Sequence, residues 1–391
     1  MFHRSHVHPF AHLTLVIAIL LLLLPLLMPV SPVFAAGDPA ATLAVPGEVM
    51  IGETLEFTVT FENQGSDTGY GPFIDLILPA TGADGDDGIT FIGATYLGAT
   101  VTSYTEIFPA GGCVDHPIAE TTSQTPVQLC GNPGDQLVVL QLPFGSFTPG
   151  QPPVDINVTA QLSDRADAGT PLPITARAGF EFGSDSLDNP CCDPTLLNPI
   201  DPDSSTWPNE DVTPTVFTAS KAYIGPEDET ATGPNFPRQY AITVDVAAGQ
   251  TITNLELTDV LPDTMQFIAV DSATPAGTVV VAPSTVTPGG TLTYNFPSVT
   301  GAAGGPDAEL VFSFYVPRVD AAAAAILNAG NGNDRLLEND ASAGADWTPI
   351  DTRDSPDLLS QGIGPVGVTA KSIAIQKGVS NITDAENTPG D

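Results

Sequence analysis

Tyr240-Ala-Ile-Thr-Val-Asp-Val246, then a turn at Gly249-Gln250, then Leu255-Glu-Leu-Thr-Asp-Val-Leu-Pro262 reads as a strand, a turn and a second strand. The same phrase stands upstream as Leu55-Glu-Phe-Thr-Val-Thr-Phe61, the turn Glu62-Asn-Gln-Gly65, and Phe73-Ile-Asp-Leu-Ile-Leu-Pro79. In the upstream copy Leu55, Phe57, Val59 and Phe61 alternate with Glu56, Thr58, Thr60 and Glu62. That period of two belongs to a strand with one face on a core and one in water. Two copies of one β-domain therefore stand in series.

Outward from these stretches, apolar runs recur every eight to twelve residues or so with Gly and Pro between them, the pattern of two packed antiparallel sheets. The 391 residues include 38 Pro and 37 Gly at 42% hydrophobic content, which suits short strands joined by tight turns. The expected fold is all-β, a tandem of immunoglobulin-like antiparallel sandwiches. A first sandwich is expected over 37–212, with an insertion at 80–131 rich in Gly, Asp and Thr. A second is expected over 213–351, in which the run Ala321 to Leu327 is helix-like. Residues 352–370 read as a Gly- and Pro-rich linker. In 371–391, Ile373-Ala-Ile-Gln-Lys377 followed by Asn387-Thr-Pro389 imitates the opening of the second domain, where Lys221 is followed by Asn235-Phe-Pro237, so a third repeat is expected to begin there. On this reading the natural protein continues further, and a missing C-terminus could carry an anchor.

Residues 1–35 read as a signal peptide: Arg4 among four His, an apolar run from Leu13 to Val30, and Val33-Phe-Ala35 as the cleavage signal. Pro25 and Pro29 disfavour a lasting membrane helix, so the mature chain is expected outside the cell or on its surface. The 46 Asp and Glu against 10 Lys and Arg give a net charge of -36, which excludes nucleic acid and anionic membranes as partners. Cations or an unidentified surface or protein ligand fit that charge better.

The four cysteines, Cys113, Cys130, Cys191 and Cys192, suit disulfides in an exported chain. Cys113 with Cys130 would close one loop; crossed pairing onto Cys191 and Cys192 is the alternative. Past the expected signal peptide His116 is the single histidine, and it reads as a surface polar residue between two cysteines. With no second histidine, no His-based triad or His-rich metal site can be assembled, and the chain is expected not to be an enzyme. Asp84-Gly-Asp86-Asp87-Gly88 is a candidate Ca2+ loop, carboxylates set round flexible glycines, although it lacks the downstream Glu of an EF-hand loop. Solvated acidic turns are the plainer reading.

The phrases Tyr240-x-Ile-x-Val, Leu257-Thr-Asp259-Val-Leu-Pro262 and the Lys221-bearing first strand resemble the domain-of-unknown-function eleven family (DUF11). Its members are tandem immunoglobulin-like repeats of large bacterial surface and secreted proteins. The first domain departs from the pattern, with Leu76 where Asp259 stands and no Lys before Lys221. The resemblance implies a structural and adhesive stalk; the alternative is a secreted binding module for glycan or another surface, using the insertion with Tyr96 and Tyr104.

Strand parity in the second domain places Lys221 on the face of Phe217 and Tyr223, Asp259 on that of Leu255 and Leu257, and Asn339 on that of Leu337 and Ala341. A buried ammonium is costly and shifts toward the neutral amine. Sandwiches of bacterial surface proteins similar to this one join such a Lys to an Asn through an isopeptide bond, beside a carboxylic acid. A simple Lys221–Asp259 ion pair is the other outcome of the same parity.

Overall fold

The computed structural model describes residues 37–185, 193–225, 227–327 and 334–372. The expected signal peptide, Cys191, Cys192 and nearly all of the expected third repeat lie outside the described residues. Among the described residues the chain forms strands and no α-helix.

The first sandwich begins with β1 (Pro39–Ala44), β2 (Glu48–Met50), β3 (Thr54–Asn63), β4 (Gly69–Tyr70), β5 (Pro72–Leu78), β6 (Ile89–Tyr96), β7 (Ala99–Thr100) and β8 (Thr102–Ile107). It continues with β9 (Cys113–Glu120), β10 (Pro126–Cys130), β11 (Gln136–Gln141), β12 (Ser146–Phe147), β13 (Val154–Leu162), β14 (Leu172–Phe180), β15 (Leu196–Asn198) and β16 (Asn209–Thr215). One sheet runs β1-β3-β13-β6-β7, and the facing one runs β2-β16-β14-β5-β11-β8.

The second sandwich comprises β17 (Phe217–Tyr223), β18 (Glu229–Thr230), β19 (Arg238–Val246), β20 (Thr251–Leu261), β21 (Gln266–Thr274), β22 (Thr278–Val281), β23 (Gly290–Thr300), β24 (Ala308–Tyr315), β25 (Arg335–Trp347) and β26 (Asp357–Ala370). Its sheets run β17-β19-β24-β21 and β18-β26-β25-β20-β23-β22. The two sandwiches correspond strand by strand: β1, β3, β13 and β6 match β17, β19, β24 and β21, while β2, β16, β14, β5, β11 and β8 match β18, β26, β25, β20, β23 and β22. Even the one parallel pair recurs, β2 with β16 and β18 with β26. The repeated phrase in the sequence is thus the β3–β5 unit and its counterpart β19–β20.

Three boundaries differ from the sequence reading. Residues 352–370 are not a linker: β26 pairs with β25 from Arg335↔Ala370 to Trp347↔Asp357 and completes the sandwich as β16 completes the first. Its Gly362, Gly364 and Gly367 imitate loop punctuation, while Ile363, Val368 and Ala370 turn into the core. Residues 80–131 are not an insertion outside the frame either, because β6 and β8 within them join the two main sheets. The first sandwich ends not near Val212 but at Val216, the single residue between β16 and β17. The run Ala321 to Leu327 forms turns, with an isolated bridge Val319↔Ala325.

The hairpin of β9 and β10 lies over the outer face of the β5–β11 sheet. Ala119 and Leu129 from the hairpin pack with Phe73, Ile77, Leu137, Val139 and Trp207, while Ile74, Leu76, Val138 and Leu140 face the inner core. A strand covered on both faces needs apolar residues at every position, which is why Phe73-Ile-Asp-Leu-Ile-Leu78 does not alternate. The hairpin is closed by a Cys113–Cys130 disulfide, whose two residues pair directly across the strands.

Candidate functional site

β17 sits at the edge of one sheet of the second sandwich, and β20 and β25 lie side by side in the other. Lys221 projects from β17 across the core to β20, where Nζ donates to Asp259 Oδ2 at 2.5 Å. It also donates to the backbone oxygen of Asn339 on β25 at 3.2 Å. Asn339 Nδ2 donates to the other carboxylate oxygen of Asp259 at 2.9 Å. Asp259 therefore stands between amine and amide with one oxygen on each. All three residues are buried.

The walls of this pocket are aromatic. Lys221 Nζ lies 4.4 Å from the ring centre of Tyr240 and 5.9 Å from that of Phe312. Tyr240 is held by stacking on Phe314 at 4.6 Å and by donating its hydroxyl to Val366 on β26 at 2.9 Å. The Lys221 and Asp259 side chains are buried from bulk solvent, and the charge states move accordingly. Burial lowers the Lys221 ammonium from its ordinary value against the opposing pull of Asp259. Burial raises Asp259 against the opposing effects of Lys221 and Asn339. Both shifts favour a neutral amine beside a neutral acid. Asn339 Oδ1 is buried without a hydrogen-bond partner, an orphan that turning the amide over toward a protonated Asp259 would satisfy.

The first sandwich holds a different buried cluster, which the sequence reading missed. Asp75 on β5 accepts from Arg177 Nε and Nη2 on β14 at 2.9 and 2.6 Å, and from His116 on β9 at 2.7 Å. His116 is not a surface residue, being 3% exposed. Its Nδ1 accepts the backbone N–H of Ala119 and Ile118 at 2.8 and 3.2 Å, which leaves Nε2 as the donor to Asp75. Arg177 lies 4.3 Å from the ring centre of Trp207. Burial pushes the Asp75 carboxyl up, but His116 and Arg177 outweigh it and hold it below the ordinary value. The available signal was one acid and one base, Asp75 and Arg177, each the sole charged residue of its strand.

Asp84, Asp86 and Asp87 lie in the turn before β6. Arg353 of the second sandwich donates to the backbone oxygens of Asp84 and Gly85 and to Asp86 Oδ1 at 2.9, 2.7 and 3.1 Å, and Arg165 reaches Asp86 at 3.3 Å. The turn is thus occupied by arginines, and among the described residues no three His, Cys, Asp or Glu side chains gather as a metal ion requires. Of the two tyrosines expected to offer a sugar platform, Tyr96 packs edge-on against Phe144 at 5.1 Å, and Tyr104 is 39% exposed on the edge strand β8.

These features define a tandem β-sandwich whose second unit carries a dry Lys–Asp–Asn constellation bridging its sheets. No family model and no curated protein matches the chain. Among solved structures it is similar to AvmM, which catalyses macrocyclization in alchivemycin A biosynthesis, at 15% identity and TM-score 0.27 over 46% of this chain and 88% of that one. It is similar to the major pilin SpaD from Corynebacterium diphtheriae at 13% identity and TM-score 0.27, over 76% of this chain and 61% of that one. The major pilin subunit of Bacillus cereus matches at 10% identity and TM-score 0.24, over 85% and 67%. Scores this low assign no activity.

Proposed function

We propose that the chain is a non-enzymatic structural segment of an extracellular or cell-surface stalk, and that its second sandwich locks itself with a Lys221–Asn339 isopeptide bond. The observation that carries this reading is the carboxyl group of Asp259 held between the Lys221 amine and the Asn339 amide in a buried pocket.

In the step, Lys221 first passes a proton to Asp259, leaving a neutral amine and a neutral acid. Protonated Asp259 then donates to Asn339 Oδ1, with the amide turned over, and polarises Cγ. A bond forms between Lys221 Nζ and Asn339 Cγ, the Cγ–Nδ2 bond breaks, and one Nζ proton travels through Asp259 to Nδ2, which leaves as ammonia. Asp259 ends protonated, keeping the first proton it took from Lys221, and no oxidant or cofactor enters. The reaction occurs once per molecule, so it matures the protein rather than turning over a substrate.

The bond would join β17 in one sheet to β25 in the other, so that force applied along the chain could not peel the sheets apart without breaking covalent structure. The insertion, which a binding module would present as its contact face, spends its hairpin covering the β5–β11 sheet. Intact-mass measurement of the purified chain tests the proposal. A mass one ammonia below the value expected for the oxidised disulfide form supports the bond, and a linked peptide containing Lys221 and Asn339 after digestion places it. A mass without that deficit removes it.

A further inference from the structure

The sequence holds three Asp–Pro bonds, Asp38–Pro39, Asp193–Pro194 and Asp201–Pro202. Such a bond carries its own nucleophile. The side-chain carboxylate can attack the carbonyl carbon of the same residue and close a five-membered ring, so no second group has to be brought up. The proline side suits departure, because the bond is a tertiary amide whose nitrogen is more basic than that of an ordinary peptide. In an open chain nothing stabilises the oxyanion that the attack creates, and that stabilisation is where a fold can add most to the rate.

The fold supplies it at Asp201. The carbonyl oxygen of Asp201 accepts from Trp207 Nε1 at 3.2 Å and from Arg177 Nη1 at 3.4 Å. Both donors are held in place beforehand. Arg177 is buried, gripped by Asp75 through Nε and Nη2, and its guanidinium lies against the indole of Trp207, which is itself buried. A short 3₁₀ turn (Ser204–Thr206), capped by the Asp203 side chain, folds the chain back so that Trp207 reaches the carbonyl of Asp201. Asp201 is exposed, and its Oδ1 accepts the backbone N–H of Asp203 at 2.8 Å, which orients the carboxylate and leaves Oδ2 to attack. The Asp38 carbonyl, by contrast, accepts the backbone N–H of Gln64 at 2.8 Å as part of the β1–β3 edge.

We propose that Asp201–Pro202 is a self-cleavage site, where the chain cuts its own backbone with Arg177 and Trp207 as oxyanion donors. A bond forms between Asp201 Oδ2 and the Asp201 carbonyl carbon, and the carbonyl oxygen takes the negative charge beside the guanidinium and the indole. The bond from that carbon to Pro202 N then breaks, and the nitrogen takes a proton from solvent and leaves as a secondary amine. A cyclic anhydride of Asp201 remains, and one water molecule opens it. The oxygen of that water ends in the two carboxylates of Asp201, and its two protons end, through solvent, on the Pro202 amine. The reaction occurs once per molecule and is independent of the Lys221 site.

All four cysteines precede Asp201, so no disulfide can tie the fragments together. β16 follows the cut, and it pairs with β14 from Leu172↔Val212 to Thr175↔Asn209 and with β2 from Thr213↔Glu48 to Thr215↔Met50. A cleaved chain therefore stays assembled at rest through non-covalent contacts, and the first sandwich becomes a joint that pulling can open.

The test is incubation of the folded, purified chain at about pH 5 and about pH 7.5, followed by denaturing electrophoresis, intact mass and N-terminal sequencing. The expected result is two fragments whose masses sum to the intact chain plus one water, the second beginning at Pro202, with Asp38–Pro39 and Asp193–Pro194 intact. Cleavage should be faster at the lower pH, where solvent protonates the leaving nitrogen more readily. Lys221 and Asn339 both fall in the second fragment, so the presence or absence of their cross-link is read there separately. Trp207→Phe keeps a ring but removes the indole N–H, and should slow cleavage roughly a hundredfold. Asp201→Ala, without the nucleophile, should stop it. In urea the Asp201 bond should fall to the rate of the other two, a comparison that needs no variant. A folded chain that stays intact at both pH values overturns the proposal, as does cutting at Asp201 that is no faster than at the other Asp–Pro bonds or that continues undiminished in urea. A Trp207→Phe chain that folds and cuts at the wild-type rate also overturns it.

Discussion

Asp75 and Asp259 lie in corresponding strands, β5 and β20, one position out of step, and face opposite ways. Counted back from Pro79 and Pro262, Leu76 matches Asp259, so Asp75 falls on the outer face with Phe73 and Ile77 while Asp259 falls on the inner face with Leu257 and Leu261. A shift of one residue in a strand exchanges its faces. The outward acid binds the hairpin through His116 and Arg177 and steadies a second apolar layer. The inward acid meets a lysine from the opposite sheet. One architecture thus carries two different buried acids, one suited to a permanent charge and the other to losing it.

Asp259→Ala is expected to block the cross-link and leave the chain one ammonia heavier than wild type after correction for the substitution. It also strands Lys221 in the core, where removing one partner of a buried pair costs about 3–5 kcal/mol. Mass spectrometry and thermal melting together separate the two effects. If the variant still shows the ammonia deficit, Asp259 is not the proton carrier.

Arg177→Met keeps the volume of the side chain but leaves Asp75 buried without the guanidinium that donates two hydrogen bonds to it, and should destabilise the first sandwich by about 3 kcal/mol or more. Wild-type Asp75 lies below the ordinary carboxylate value of 3.8. Its contribution is therefore complete above that value and is lost as pH falls through the lower folded-state value. Acid titration of the melting temperature should show this loss in wild type and not in Arg177→Met. Superimposable acid limbs would refute the assignment.

Strand alternation exposed the tandem sandwiches in the sequence, because β3, β19 and β20 each bury one face and leave the other polar. Parity likewise placed Lys221, Asp259 and Asn339 on inward faces, and the structure brings them together. What stayed hidden depends on contacts distant in sequence. Asp75 and His116 are 41 residues apart, and no local pattern reveals that a hairpin will fold back over the outer face. Arg353 meets the turn at Asp86 from 267 residues away, a partner that nothing in the turn itself announces. β26 was missed because its glycines, tolerated at the pleated surface, resemble a linker until β25 supplies a partner.

Reduction of Cys113–Cys130 should lower the stability of the first sandwich alone. The bridge spans a sequence separation of 17, a loop for which chain entropy predicts about 3 kcal/mol. Calorimetry with and without reductant should show one transition move and the other stay. Equal shifts in both would mean that the sandwiches melt as one unit.

His116 gives the last prediction, since it is the hinge pin of the hairpin rather than a catalytic group. Its Nδ1 accepts two backbone N–H groups of its own strand while Nε2 ties that strand to Asp75 in the sheet below. His116→Ala removes both ends of the link at once and leaves one Asp75 oxygen unpaired, at a cost of about 1–3 kcal/mol. The loss should be local, because the disulfide still closes the hairpin and Arg177 still neutralises Asp75. Hydrogen exchange should therefore accelerate at Ile118 and Ala119, with the β3 and β13 amides unaffected. Uniform acceleration across the first sandwich would show instead that the hairpin and the main sheets open together.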